Sequence, residues 1–458
     1  MSEIFTRKFS EISGGSFQPE AYHYERLEII EKLQKLYKNN LSKLSHIANI
    51  ISQKSNAKNV KKYVGMANIE SHTGIYIESM EDKGQGDCNI FKKGDVLFGK
   101  LRPYLNKVYF AEFEGGCSTE FIVLNSKDSN KISNRFLSIF LMLDCVVRQT
   151  KHLMTGNTLP RLQTSDIENL LIPLPPLSTQ QHIIDLMDKT YKAKQEKENK
   201  AKELLDSIDS YLLEELGIIL PLRANNTLDS RIYTAKISAS SGSRFDANYH
   251  QPYYKKFEQA LESGKYKTLR LVDICQFRRG SFPQPYGNQE WYGGANAMPF
   301  VQVADIDDNF ELKEKTNQQI SQLAQPKSVF VPQNTIILSI QGTIGRVAIT
   351  QYDCYVDRTI AIFTELSNLL NQHFLAYMLS ILFKNKADTA RGITLKTITK
   401  EEFRNFKIPL PPLTEQERIA KEISQRKARA KALKQEAKES LESAKKEVEH
   451  IILGVFER

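Results

Sequence analysis

The run IPLPPL occurs twice, at residues 172–177 and 408–413, each time directly before a long stretch of helical periodicity. A single proline cluster is usually a loop. Two copies 236 residues apart mean that the chain is built twice over. The interval extends upstream without a gap: "GNTLPRLQTSDIENLLIPLPPL" from Gly156 lies over "GITLKTITKEEFRNFKIPLPPL" from Gly392. Further back, "NRFLSIFLML" lies over "NQHFLAYMLS", and both read as buried amphipathic helices. "GDVLFGKLRPYLNKVYFA" from Gly94 and "QNTIILSIQGTIGRVAIT" from Gln333 each read as strand, turn with an Arg, and strand. "SFQPEAYHYERLEIIEKL" from Ser16 matches "RFDANYHQPYYKKFEQAL" from Arg244 more loosely. The repeating unit is roughly 200 residues, the size of a domain rather than of a solenoid repeat. Proline run and helix agree well between the copies, whereas the strand-and-turn segments differ widely.

The periodicity after each proline run predicts a helix of about 35–40 residues, roughly 55 Å long at 1.5 Å per residue. Its first seam holds Ile184, Met187, Tyr191, Ala201, Leu205, Ile208 and Leu212, interrupted near Lys194 and Glu198. The second holds Ile419, Ile423, Ala430, Leu433, Ala437, Leu441, Ala444, Val448, Ile451 and Val455. Such a seam is too narrow for a globular core and calls for one helical partner, which the small alanines let approach closely. The two helices pairing with each other, antiparallel, is the simplest arrangement; homodimerisation of each is the competing one. The prolines fix φ and hold the entry extended, Ser178 or Thr414 supplies a helix N-cap, and Gly217 and Gly454 end the helices. The fold expected is α/β (α+β), two tandem globular domains separated by two long helices. The boundaries fall at 1–165 for the first domain, 166–217 for its junction and helix, and 218–240 for a linker. The second domain spans 241–402, and its junction and helix 403–458.

The chain is 41% hydrophobic and 26% charged, as ordinary globular proteins are, and its net charge of +9 leans toward a polyanionic partner. Five scattered cysteines without a CxxC pair argue against a disulfide framework or a zinc site and fit a reducing cytosol. No apolar run is long enough to span a bilayer, and the N-terminus does not read as a signal peptide, so a soluble, cytoplasmic protein is expected.

The duplicated unit, the PLPPL[ST]xQ junction and the long helix together resemble the specificity (S) subunit of type I restriction-modification systems, over nearly the whole chain. That resemblance implies two target recognition domains, each reading one half of a split site in double-stranded DNA. The helices would form an antiparallel coiled coil that sets the half-site spacing. It also implies a subunit that is not catalytic and carries no cofactor. It would recruit adenine methyltransferase subunits, expected as two copies, which use S-adenosylmethionine, and in some systems motor-nuclease subunits. A specificity chain of a type IIB or IIG methyltransferase-nuclease would look alike. Readings from other classes are a metal-dependent nuclease in its own right and a coiled-coil scaffold with no DNA role.

The residues agree on the missing chemistry. The chain has no [ND]PP[YFW] motif to hold a flipped adenine and no GxxxxGK[ST] phosphate loop. "DIDDNFELKEK" from Asp305 places Asp308, Glu311 and Lys313 in one turn-rich segment, which reads as a solvated loop. The eight histidines show no HxH or HxxxH pairing for a metal. DNA contact is expected from turns bearing basic and amide side chains, which pair with base edges or hold phosphates. In the first unit these are Lys61, Lys62, Lys100, Arg102, Asn157 and Arg161. In the second they are Arg278, Arg279, Gln341, Thr343, Arg346, Arg391 and Lys396. Tyr104 and Trp291 could stack on bases, although such residues more often belong to a core or its rim.

Overall fold

Each proline run begins as a strand. In the computed structural model, which describes residues 19–78, 84–156, 158–223, 227, 232–234, 247–307, 309–387, 390 and 396–454, Leu171–Pro173 pairs antiparallel with Leu41–Lys43. Lys407–Pro409 pairs in the same way with Thr268–Arg270. Pro173 and Pro409 end their strands, where the missing N–H breaks no ladder. The following residues close the ladder: Leu174 N–H donates to Asn40 O at 2.8 Å, and Leu410 N–H to Lys267 O at 2.9 Å.

Continuous helices follow over Leu177–Glu215 and Leu413–Leu453, 39 and 41 residues long. Both start one residue before the expected N-cap. Pro176 O accepts the N–H groups of Thr179 and Gln180, and Pro412 O those of Glu415 and Gln416. Ser178 and Thr414 are therefore already helical, because a proline carbonyl opens the helix without any N–H of its own needing a partner. Left-handed glycines close them, Gly217 at φ +64° and Gly454 at φ +62°.

The group that fastens each junction is a buried glutamine. Gln180 is 1% exposed; its amide donates to Pro175 O at 3.0 Å and Lys131 O at 2.8 Å and accepts from Ser133 N–H at 3.2 Å. Gln416 is fully buried and does the same to Pro411 O and Leu369 O, both at 2.8 Å, and from Asn371 N–H at 2.8 Å. Ser133 and Asn371 are themselves the N-caps of the buried helices Asn134–Leu141 and Gln372–Lys386.

The chain divides into two compact units that cut both long helices: residues 1–199 with 434–458, and residues 200–433. In the first, a four-stranded antiparallel sheet runs in the order 48–51, 121–126, 96–99, 108–110. A second sheet runs 54–56, 87–91, 115–118, 63–64, with its last pair parallel. The second unit repeats the first sheet as 275–279, 360–366, 336–339, 347–349. Its other sheet keeps three equivalent strands, 298–301, 354–356 and 329–331, but adds a strand, 318–320, at the opposite edge. All five cysteines are buried free thiols; burial pushes Cys117, Cys275 and Cys354 up to about 12.

The expected seams are covered by the other long helix of the same chain, within each unit. In the first, Ile183 and Met187 share a core with Leu441, Ala444, Val448 and Ile452. In the second, Ala201 packs with Ala430 and Leu433, Arg418 pairs with Glu215, and Arg426 donates to Ser207 Oγ at 3.0 Å. Numbers rise along one helix as they fall along the other, so the pair is an antiparallel coiled coil. The burial corrects the first seam: Ile183 rather than Ile184 is its fully buried residue. Lys194 occupies a seam position at 7% exposure, between Met187 and Ala201 at heptad spacing. Its stem is buried while its ammonium reaches Glu198 Oε1 at 2.7 Å. Ile451 is half-buried, and Val455 lies outside the described residues.

A loop of each unit reaches the helices at a left-handed non-glycine residue, His72 at φ +64° and Phe310 at φ +63°. In the first unit Tyr191 Oη donates to Thr73 O at 2.6 Å and Lys445 Nζ to His72 O at 2.9 Å. In the second, the Phe310 and Tyr377 rings stand 4.5 and 5.5 Å from Lys427 Nζ, beside a cavity of about 380 Å³. Burial lowers the Lys427 pKa from 10.5 to about 8, aided by Lys431 and opposed by Glu311 and Asp307.

Two measurements test this packing. Gln180→Leu and Gln416→Leu should each lower the thermal midpoint, at about 1–3 kcal/mol for every buried group left unpaired. Exposed Gln181→Ala should leave the midpoint unchanged. For Lys427, the unfolded chain keeps a proton between pH 8 and 10.5 that the folded one has lost. Stability should therefore rise with pH through that window, by at most on the order of 3 kcal/mol. Read as the difference between wild type and Lys427→Met, a flat profile from pH 8 to 10.5 contradicts the assignment.

Candidate nucleic-acid interface

In the first unit the turn after strand Val96–Gly99 is held open by backbone pairing to a second loop. Lys100 N–H donates to Glu120 O at 2.9 Å, Leu162 N–H to Lys100 O at 3.0 Å, and Arg102 N–H to Pro160 O at 2.7 Å. Arg102 is left-handed, at φ +47°, and its side chain is exposed. Leu101 forms a bridge with Arg161, so Lys100, Arg102 and Arg161 come together. Arg161 is committed within the fold, however. Its Nε and Nη2 fork onto the Glu120 carboxylate at 2.8–3.1 Å, and Nη1 donates to Leu159 O at 3.1 Å. The fork raises the Arg161 pKa above its ordinary value. Lys61 and Lys62 are exposed just before Tyr63–Val64 on the other sheet, with Lys62 Nζ 4.4 Å from the Phe113 ring centre. Asn157 lies outside the described residues. Tyr104 is 41% exposed.

The second unit repeats this construction. Gln341 bridges Thr397, and Gly342 N–H donates to Lys396 O at 3.0 Å, so the turn after Ile336–Ser339 is again clasped by the loop before the proline junction. Arg278 and Arg279 end strand Cys275–Arg279 beside it. Arg278 Nη2 donates to Phe330 O at 3.1 Å and Arg279 Nη2 to Gln341 Oε1 at 2.7 Å, while Arg279 Nε donates to Arg358 O. Thr343 is exposed at the turn's tip. Arg346 is turned inward, with Nη1 donating to Ile306 O at 3.0 Å. Arg391 lies outside the described residues. Trp291 is a core residue at 6% exposure, with Nε1 donating to Pro285 O at 3.0 Å.

Arg358 belongs to this cluster and was missed in the sequence because no glycine or repeat match marks its turn. Glu120 was missed because acidic residues carried no weight in a search for anion contacts. The segment around Glu311 is a loop, as expected, but a braced one rather than a solvated one, with Asp305, Ile306 and Leu312 buried. Asp307 Oδ1 accepts the N–H groups of Asn309 and Glu311, and Glu311 pairs with Lys431; Asp308 lies outside the described residues. His23, Glu25 and His152 place possible metal-ligand atoms within 4.8 Å of one another. The two rings stack face to face, however, with centroids 3.6 Å apart, which keeps their in-plane lone pairs from converging, and Glu25 is paired with Lys151. Among the described residues, no helix is long and apolar enough to cross a membrane.

A family model described as "Type I restriction modification DNA specificity domain" matches residues 38–206 and 263–443, more than half of the chain. The chain is similar to the EcoDI type I restriction enzyme specificity subunit of Escherichia coli, at 29% identity over 27% of this chain and 28% of that one. It is also similar to the putative MjaX type I specificity subunit of Methanocaldococcus jannaschii, at 22% identity over 82% of this chain and 81% of that one. A chain from a solved structure titled for the complex assembly and conformational transition of the type I R-M system shares the fold. Its TM-score is 0.53 at 20% identity, covering 90% of this chain and 96% of that one.

Proposed function

From a chain that belongs to the type I restriction-modification DNA specificity family, we propose that each basic turn cluster reads one half of a bipartite duplex site. The chain is a specificity subunit, a DNA-recognition protein rather than a catalyst, and it works with DNA and methyltransferase subunits. We assign recognition to residues 1–165 and 241–402, and the junctions with their long helices, 166–217 and 403–458, to spacing and scaffolding, with 218–240 as a linker. The observation that carries this is the doubled clasp. At matching places in both units, a turn bearing Arg102 or Gln341 is pinned by the loop before the proline junction, through Leu101–Arg161 and Gln341–Thr397. Side chains on a braced turn lose little freedom on meeting a groove, and Arg and Gln are the types that read guanine and adenine edges.

The two equivalent junctions suit two copies of the methyltransferase, which would bring S-adenosylmethionine and methylate adenine; a motor-nuclease would add restriction. The cytoplasm, where the DNA and its cofactor are found, is the natural compartment. Lys61, Lys62, Lys100, Arg278, Thr343 and Lys396 are proposed as further contacts, as are Asn157 and Arg391. Arg161, neutralised by Glu120, and Arg346, half-buried and turned inward, are suited to shaping the interface rather than touching DNA.

Methylation mapped genome-wide in cells carrying the chain with its methyltransferase tests the reading. The isolated chain should transfer no methyl group, and the assembled complex should modify one split motif. Arg102→Ala should relax the half-site read by the first unit alone, and Gln341→Ala the other, each base contact being worth about 1–3 kcal/mol. Equal loss at both halves in a folded complex defeats the modular assignment.

A further inference from the structure

Two arginines of the second unit, Arg279 and Arg358, meet at one small, tightly tied turn. Gly280 N–H donates to Ile360 O and Ser281 N–H to Val356 O, both at 3.0 Å, tying the end of strand Cys275–Arg279 to the 357–359 turn. A Cβ on Gly280 would stand 2.4 Å from Asp357 O, so the two backbones meet as closely as a glycine allows. Arg358 is exposed at the corner of this turn, with its guanidinium 4.7 Å from the Phe282 ring centre. Arg279 donates to the carbonyl of Arg358 and to Gln341.

The carboxylate beside them is already in use. Asp357 is 6% exposed, and its Oδ1 accepts the N–H of Thr359 at 2.9 Å and its hydroxyl at 2.6 Å. The crowding shows in Arg279, whose pKa is lowered by burial first and by Arg358 second, against an opposing pull from Asp357. Two like charges, one bonded to the backbone of the other's turn, are relieved by a full negative charge placed on both. A base edge offers partial charges, whereas a phosphodiester offers a whole one.

Resting on the DNA-reading function proposed above, we infer that Arg358 and Arg279 form a phosphate clamp that grips the backbone of the second half-site. The first unit carries no such pair at the equivalent turn, where Thr119 and Glu120 precede strand Phe121–Ser126 and Glu120 neutralises Arg161. Backbone grip is therefore unequal between the halves, and the second unit supplies more of the salt-sensitive binding.

The test uses the full chain assembled with its methyltransferase, titrated with a duplex carrying the mapped site and with one whose second half-site is scrambled, across a series of salt concentrations. Arg358→Gln and Arg279→Gln should each flatten the slope of log K against log salt by about one, and the double variant by about two. Both duplexes should weaken alike, and Arg358→Lys should keep the slope. Arg270→Gln, whose guanidinium is paired with Asp273, should change nothing. An unchanged slope for Arg358→Gln in a folded, assembled complex overturns the clamp. So does relaxed preference at one base position with the slope intact, which would make Arg358 a base reader. A wild-type complex that binds no duplex even at low salt overturns the DNA-reading function itself, a result distinct from either.

Discussion

A run of prolines has carbonyls to satisfy and no N–H groups to offer, so a buried proline junction needs a donor from elsewhere. One primary amide per unit supplies it. Gln180 and Gln416 each give one hydrogen to a carbonyl of the run and the other to the segment before a buried core helix. Each also accepts an N–H from that helix's N-cap residue. Extended run, long helix and domain core therefore meet at a single group with its hydrogen-bonding capacity in use. The turn clusters inherit their placement from this joint, since the loops that clasp them lead through one short helix each, Thr164–Glu168 and Lys400–Arg404, into the strands Leu171–Pro173 and Lys407–Pro409.

Around this shared joint the two units vary where variation is cheap. Three strands of the smaller sheet are common to both, and the fourth sits at one edge as 54–56 and at the opposite edge as 318–320. An edge strand can be gained or lost without disturbing the strands that stay paired on both sides. The charges vary too. In the first unit an arginine near the turn is neutralised by Glu120, while in the second Arg279 and Arg358 stand near a carboxylate that is bound to its own turn. Frame and joint are held in common; surface chemistry is not.

The duplication, the long helices, the strand–turn–strand segments and the buried helices were legible because each rests on a local signal: period, proline, glycine. Lys194 looked like a break in the seam because a charge weighs as polar in any periodicity, while its four-carbon stem packs as an apolar residue would. Ser178 and Thr414 looked like caps because their residue type favours that position, yet the preceding proline carbonyl had already opened the helix. Arg161 and Arg346 were picked by residue type, and their partners, Glu120 and the Ile306 carbonyl, lie about forty residues away in sequence. Gln180 and Gln416 stood in the quoted junction motif, but a glutamine at the start of a helix is ordinarily solvated. Nothing short of the fold shows that these two are buried.

Each long helix is shared between the units, and that dictates an order of events during synthesis. The first unit's core includes Leu441, Ala444, Val448 and Ile452, and its Tyr37 hydroxyl donates to the carbonyl of Ile452 at 2.9 Å. Those residues leave the ribosome only after the whole of the second unit has been made. The nascent first unit must wait with the apolar stripe around Ile183 and Met187 uncovered, a surface open to chaperones or to another chain's equivalent helix. The second unit draws on residues 200–433 alone and meets no such delay. The half translated first is thus the half completed last.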